Sequence, residues 1–103
     1  MDIIKPNEFG FTIYSKSGCP NCLKVKSLLK KNNINFIIVD CDEYIIEDKS
    51  FFLLFINNLA KTSVTMFPMI FNDGLFIGGY NETIDYIDKL LSFDNLSFDN
   101  LTF

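Results

Sequence analysis

Residues 1–9 are polar and include Pro6, after which Phe11-Thr12-Ile13-Tyr14-Ser15 alternates as a short strand does. Ser17-Gly18 ends that strand. Pro20 opens an apolar stripe of Leu23, Val25, Leu28 and Leu29 that reaches Lys31. That stripe predicts a helix, and proline suits a first helical position because its missing N–H has no intrahelical partner there. Cys19 is thereby expected to be the N-cap. Residues 35–40 carry the continuous apolar run Phe36-Ile37-Ile38-Val39. This predicts a second strand, buried on both faces and parallel to the first through the helical crossover.

An acidic stretch over residues 41–48 leads to a helix expected over about 49–60, where the run from Phe51 to Ile56 is apolar nearly all round and calls for cover. After a polar break at 61–65, Met69-Ile70-Phe71 and Leu75-Phe76-Ile77 flank Asn72-Asp73-Gly74, and the Asp-Gly pair is a hairpin signal. Gly78-Gly79 then turns the chain. Asn81 is expected to cap a last helix whose stripe is Ile84, Ile87, Leu90 and Leu91. The order is β-α-β-α-β-β-α, an α/β domain over residues 1–91. Residues 92–103 belong to a repeated pentad, Leu91-Ser92-Phe93-Asp94-Asn95 and Leu96-Ser97-Phe98-Asp99-Asn100, followed by Leu101-Thr102-Phe103. A period of five matches neither helix nor strand, so this tail is expected to be irregular or frayed.

A chain of 103 residues suffices for one core and not two, and with 49% apolar and 21% charged residues it is an ordered globular sequence. The net charge of −4 speaks against a nucleic-acid partner. Lys24, Lys26, Lys30 and Lys31 do cluster, at helical spacing that reads as a solvated helix face beside a site. No apolar run spans a bilayer and the opening residues lack a signal peptide's features, so a monomeric cytoplasmic protein without membrane contact is the expectation.

Histidine is absent and cysteines number three. Without histidine, Ser-His-Asp and Cys-His nucleophiles and most catalytic zinc sites drop out, which leaves cysteine as the nucleophile. Cys19-Pro20-Asn21-Cys22 is a Cys-x-x-Cys, a pattern that serves either redox chemistry or half of a zinc site. Zinc would need two more ligands and only Cys41 remains, so no metal is expected and redox chemistry is favoured. A helix N-terminus stabilises a thiolate at Cys19, with Lys16 adding a cation nearby. Cys22, one turn on, can reach Cys19 while shielded from solvent. Cys19 is therefore expected to attack and Cys22 to resolve. Cys41 stands in Asp40-Cys41-Asp42-Glu43, where carboxylates disfavour its thiolate, and is read as an unreactive bystander.

Three separated segments resemble the glutaredoxin family, over residues 11 to about 91: Tyr14-Ser15-Lys16-Ser17-Gly18-Cys19-Pro20-Asn21-Cys22, Phe67-Pro68 and Ile77-Gly78-Gly79-Tyr80-Asn81-Glu82. The resemblance implies a thioredoxin-like fold with a central four-stranded mixed sheet flanked by helices, and a glutathione-dependent thiol–disulfide oxidoreductase acting on disulfide-bonded or glutathionylated proteins. It implies a glutathione groove with Lys16 near the glycine carboxylate, the backbone of Phe67 before a cis Pro68 pairing with the tripeptide, and Gly79, Tyr80 and Asn81 at the γ-glutamyl end. The sequence departs from the family pattern at Asn21, where an aromatic residue is usual, and at Phe67, where valine is typical. Two rivals are a thioredoxin-like reductase and a non-catalytic iron–sulfur carrier; Pro20 speaks against the carrier, because family members that hold clusters usually lack it.

Overall fold

The computed structural model describes residues 1–101, with side chains described for residues 1–92. In chain order it places β1 (Phe11–Ser15), α1 (Pro20–Lys31), β2 (Phe36–Asp40), α2 (Asp42–Ala60), β3 (Met69–Asn72), β4 (Leu75–Gly78) and α3 (Tyr80–Leu101). This is the expected order. The strands form one mixed sheet in the order β2-β1-β3-β4, with β1 parallel to β2 and antiparallel to β3.

All five residues of β1 are buried, because this strand is central and has helices over both faces. Successive side chains of a strand point to opposite faces, and β1 divides accordingly. Phe11 and Ile13 meet Val25 and Leu29 of α1 and Ile87 of α3. Tyr14 points the other way, to Phe52 and Ile56 of α2 and to Phe71 of β3. The hairpin turn has positive φ at Asp73 (52°) and Gly74 (79°), the pair that a type I′ turn requires. Its carboxylate accepts the Gly10 N–H at 2.7 Å, which ties the hairpin to the start of β1.

Four expectations need correction. β2 is an edge strand rather than one buried on both faces: Ile37 and Ile38 are 38% and 49% exposed, and only Val39 is buried. A continuous apolar run carries no information about whether a second strand lies beside it. The acidic stretch is helical, so α2 starts at Asp42 instead of near residue 49. Asp42 and Glu43 suit a helix N-terminus electrostatically. At Asp48 (φ −161°, ψ 88°) the helix kinks, and the Asp48 carboxylate accepts the Phe51 N–H at 3.0 Å, so it acts as an internal N-cap where the second helix was expected. The cover over α2 is also partial, with Phe52 and Ile56 buried but Phe51 and Leu54 facing outward.

The fourth correction is the tail, whose backbone is helical to Leu101. Residues 80–101 contain neither glycine nor proline, so nothing interrupts the backbone hydrogen bonds whatever the apolar period. Thr102 and Phe103 of the expected irregular end lie outside the described residues. At the opposite end, the polar lead-in is docked as a strap. Ile3 packs on the core beneath α2, the Ile4 N–H donates to the Tyr44 hydroxyl at 3.2 Å, and the Tyr14 hydroxyl donates to the Ile4 carbonyl at 2.5 Å.

Candidate active site

Cys19 is the N-cap of α1 with extended backbone (φ −112°, ψ 100°) and Pro20 follows at the first helical position. Gly18, in the left-handed region at φ +68°, turns the chain from β1 into this cap. The Cys19 sulfur accepts the Cys22 N–H at 3.2 Å, a donor aimed at the place where thiolate charge would reside. Cys19 and Cys22 are joined as a disulfide with their Cα atoms 5.2 Å apart. Exposure separates their access: Cys19 reaches the surface at 8%, whereas Cys22 is covered at 1%.

The loop before Cys19 has an anchor that the sequence reading passed over. The Asp42 carboxylate accepts both the N–H of Ser17, at 2.9 Å, and the Ser17 hydroxyl. Those two hydrogen bonds, and then the charge of Lys16, hold the Asp42 carboxyl below the usual carboxylate range. The available signal was Asp42 opening an acidic stretch; read as a lead-in, it concealed a helix start facing the loop. Parallel pairing of β1 with β2 brings the C-terminal ends of both strands, and thus Ser17 and Asp42, to the same end of the sheet.

Phe67-Pro68 is a cis peptide, as the resemblance implies. The Phe67 ring stacks on Phe52, with centroids 5.9 Å apart and planes 5° apart, and the Lys16 ammonium sits 5.7 Å from its centroid on the active-site side. A groove of about 480 Å³ opens here, and its lining includes Asn21, Phe67, Pro68, Gly79, Tyr80 and Asn81. Five sequence-predicted residues thus meet in one concavity, and Asn21 brings it beside the cysteine pair. Lys16 stands at its margin, over Phe67. Met66, next to Phe67 and 76% exposed, is a lining residue that no motif marked.

Asn81 does not cap α3. That position belongs to Gly79, whose carbonyl accepts the Thr83 N–H at 3.1 Å while the Glu82 carboxylate reaches back to the Gly79 N–H at 2.8 Å. The Glu82 contact is one half of a capping box, the other half being absent because glycine has no side chain to accept the Glu82 N–H. Preceding it, Gly78 has φ +135°, and a Cβ there would fall 2.6 Å from the Glu82 Cβ. Gly78→Ala is expected to destabilise the protein by about 1–3 kcal/mol and to release Glu82 from Gly79. Urea unfolding should show this as a lowered midpoint at unchanged slope.

Cys41 is wholly buried, and its thiol is pushed up from an ordinary 9.0 to about 12. Burial is the largest cause, opposed by a hydrogen bond from the Ser15 backbone, with Asp40 and Asp42 raising it further. The bystander expectation holds in direction, but burial outweighs the carboxylates. The unfolded chain ionises this thiol near pH 9 and the folded chain near 12, so the associated stability is full below pH 9 and is lost as pH rises through that window. At pH 10.5 the loss amounts to about 2 kcal/mol. Tyr14 is also pushed up, by its own burial and then by Cys41, and loses stability in the same direction. Cys41→Ala should therefore lessen, without abolishing, the fall in urea midpoint between about pH 8 and 10.5.

A family model described as glutaredoxin matches residues 11–77. Glutaredoxin 1 of Rickettsia typhi is 30% identical over 95 residues, which cover 87% of this chain and 86% of that protein. Among solved structures, glutaredoxin 1 from Francisella tularensis complexed with cacodylate aligns with a TM-score of 0.69 at 32% identity, over 80% of this chain and 95% of that one. The buckwheat glutaredoxin–glutathione complex aligns with a TM-score of 0.67 at 20% identity, over 81% of this chain and 72% of that one, and shares the fold. The four-stranded mixed sheet with three helices is accordingly thioredoxin-like.

Proposed function

Because the chain belongs to the glutaredoxin family and carries the Cys19–Cys22 pair, it is a thiol–disulfide oxidoreductase, and we propose that glutathione supplies its electrons. The observation that carries this reading is the groove beside the pair, between Phe67-Pro68 and the Gly79-to-Asn81 turn. Its volume of about 480 Å³ falls in the range of small-molecule sites, and the buckwheat relative was solved as a complex with glutathione. The backbone of Phe67, before the cis Pro68, would pair with the peptide, and the start of α3 would offer free N–H groups to a carboxylate. Lys16 would face the opposite carboxylate.

In the proposed reaction the Cys19 thiolate attacks the glutathione sulfur of a glutathionylated protein, and the protein thiolate leaves and is protonated. A second glutathione thiolate attacks the Cys19-bound sulfur, giving glutathione disulfide and restoring the Cys19 thiolate. With a protein disulfide, Cys19 forms a mixed disulfide with one protein sulfur and Cys22 attacks the Cys19 sulfur. This releases the second protein thiol and leaves the Cys19–Cys22 disulfide, which two glutathiones reduce. The protein needs no bound metal for either route. It would act as a monomer in a reducing, cytoplasmic setting.

Coupling turnover to glutathione reductase and, separately, to thioredoxin reductase tests the reading. Rapid NADPH consumption is expected only with glutathione and glutathione reductase. Turnover supported by thioredoxin reductase alone would make the chain a thioredoxin-like reductase, and a brown dimer with glutathione-dependent visible absorption would make it a cluster carrier.

A further inference from the structure

We infer that the solvent face of α1 is a docking track for substrate proteins, and that it takes an acidic segment with an apolar side chain close to the reactive disulfide. The inference deepens the oxidoreductase reading and rests on it.

The helix Pro20-Asn21-Cys22-Leu23-Lys24-Val25-Lys26-Ser27-Leu28-Leu29-Lys30-Lys31 has four lysines and no carboxylate, in a chain whose net charge is −4. Cys22, Val25 and Leu29 point into the core. On the other side Leu23, Lys24, Ser27, Leu28 and Lys31 follow one another at helical spacing and, together with Tyr80, line a shallow groove of about 360 Å³. No carboxylate lines it among the described residues. Leu23 directly follows the resolving cysteine and is 65% exposed, an apolar contact left open beside the site.

Tyr80 is what connects this face to the chemistry. Its ring lines both the larger groove beside the cysteines and the α1 groove, and the Lys24 ammonium lies 5.8 Å from its centroid. An extended chain with its disulfide at Cys19 can therefore pass Tyr80 onto α1 without leaving the surface. An occupant that must present a disulfide to Cys19 while touching α1 is a protein, which selects against nucleic acid or lipid as the partner. Lys24 and Lys31 in the groove, with Lys26 and Lys30 on the same helix, favour carboxylates against an otherwise acidic surface, and such rim charges act chiefly on the association rate. Leu23 and Leu28 supply the apolar seat.

The test uses two disulfide-bonded peptides with the same cysteines and the same apolar neighbour, flanked by glutamates in one and by lysines in the other. Pre-reduced protein is mixed with each in the absence of glutathione, and the second-order rate of dithiol–disulfide exchange is followed. At low salt the acidic peptide should react about tenfold faster, and the advantage should shrink as salt rises. The Lys24→Glu, Lys31→Glu double variant should reverse the order, and the neutral Lys24→Gln, Lys31→Gln variant should bring the two rates together, with thermal melts confirming that both fold. Equal rates with the unmodified protein, or a preference for the acidic peptide that survives the double charge reversal, would overturn the inference. So would tighter binding to anionic vesicles or single-stranded DNA than to the acidic peptide at the same salt. Because glutathione is absent, failure here is distinct from failure of glutathione-coupled turnover.

Discussion

Cys19→Ser should abolish reduction of both glutathionylated and disulfide-bonded substrates, whereas Cys22→Ser should divide the two activities. Cys19 alone combines surface access with the cap position and a sulfur-directed N–H, so no other group replaces its attack. Cys22 is buried against it and, in the proposed reaction, acts only once Cys19 is in a mixed disulfide. When the bound partner is glutathione, a second glutathione from solution resolves the intermediate, and Cys22→Ser should keep deglutathionylation within about threefold. When the partner is a protein, resolution draws on a thiol already in place, whose effective concentration far exceeds that of a free one, and loss of Cys22 should slow turnover by about a hundredfold or more. Parallel assays of both variants on a glutathionylated peptide and on a protein disulfide decide the matter. Loss of deglutathionylation in Cys22→Ser would indicate an obligate dithiol mechanism, and residual activity in Cys19→Ser would reverse the roles.

Phe52→Ala should cost about 3–5 kcal/mol, the usual range for removing a buried aromatic ring. Phe52 is wholly buried and central to a row of rings, 5.7 Å from Tyr44, 5.9 Å from Phe67 and 6.4 Å from Tyr14. For a domain of about 100 residues each kcal/mol lowers the melting temperature by about 4–8 °C, so a fall of at least about 12 °C is expected. The effect should extend to the site. Phe67 forms a wall of the groove and leans on Phe52, so below its melting temperature the variant should show a raised KM for glutathionylated substrates. A variant that melts normally, or one that melts early but keeps its KM, would show that the stack does not connect core and groove as described.

The helix α1 and the cap position of Cys19 were legible because local rules decide them: proline at a first helical position and a cysteine before it need no knowledge of distant residues. The hairpin was legible for the same reason, since Asp73-Gly74 supplies the required positive φ values by itself. What escaped depended on neighbours remote in sequence. The apolar run at 36–39 suits an inner strand as well as an edge strand, and strand order alone separates them. Asp42 is one carboxylate among several until the β1–β2 pairing sets it against Ser17. Asn81 is a better intrinsic cap than Gly79, but Glu82 satisfies the Gly79 N–H and moves the helix start two residues upstream. The Phe67-Pro68 and Gly79-to-Asn81 motifs were visible separately, and only the folded sheet makes them two sides of one groove.

The strap at the amino end has a consequence for the order in which a growing chain assembles. Ile4 leaves the ribosome before either group that holds it, because its carbonyl waits for the hydroxyl of Tyr14 in β1 and its N–H for that of Tyr44 in α2. Ile3 likewise has no seat until Phe52 and its neighbours have been synthesised and have closed over β1. The strap thus precedes in the chain every group that holds it, and it cannot dock until Tyr14 and the α2 residues are in place. Its docking therefore requires α2 to be seated on the sheet, where Phe52 packs against Tyr14.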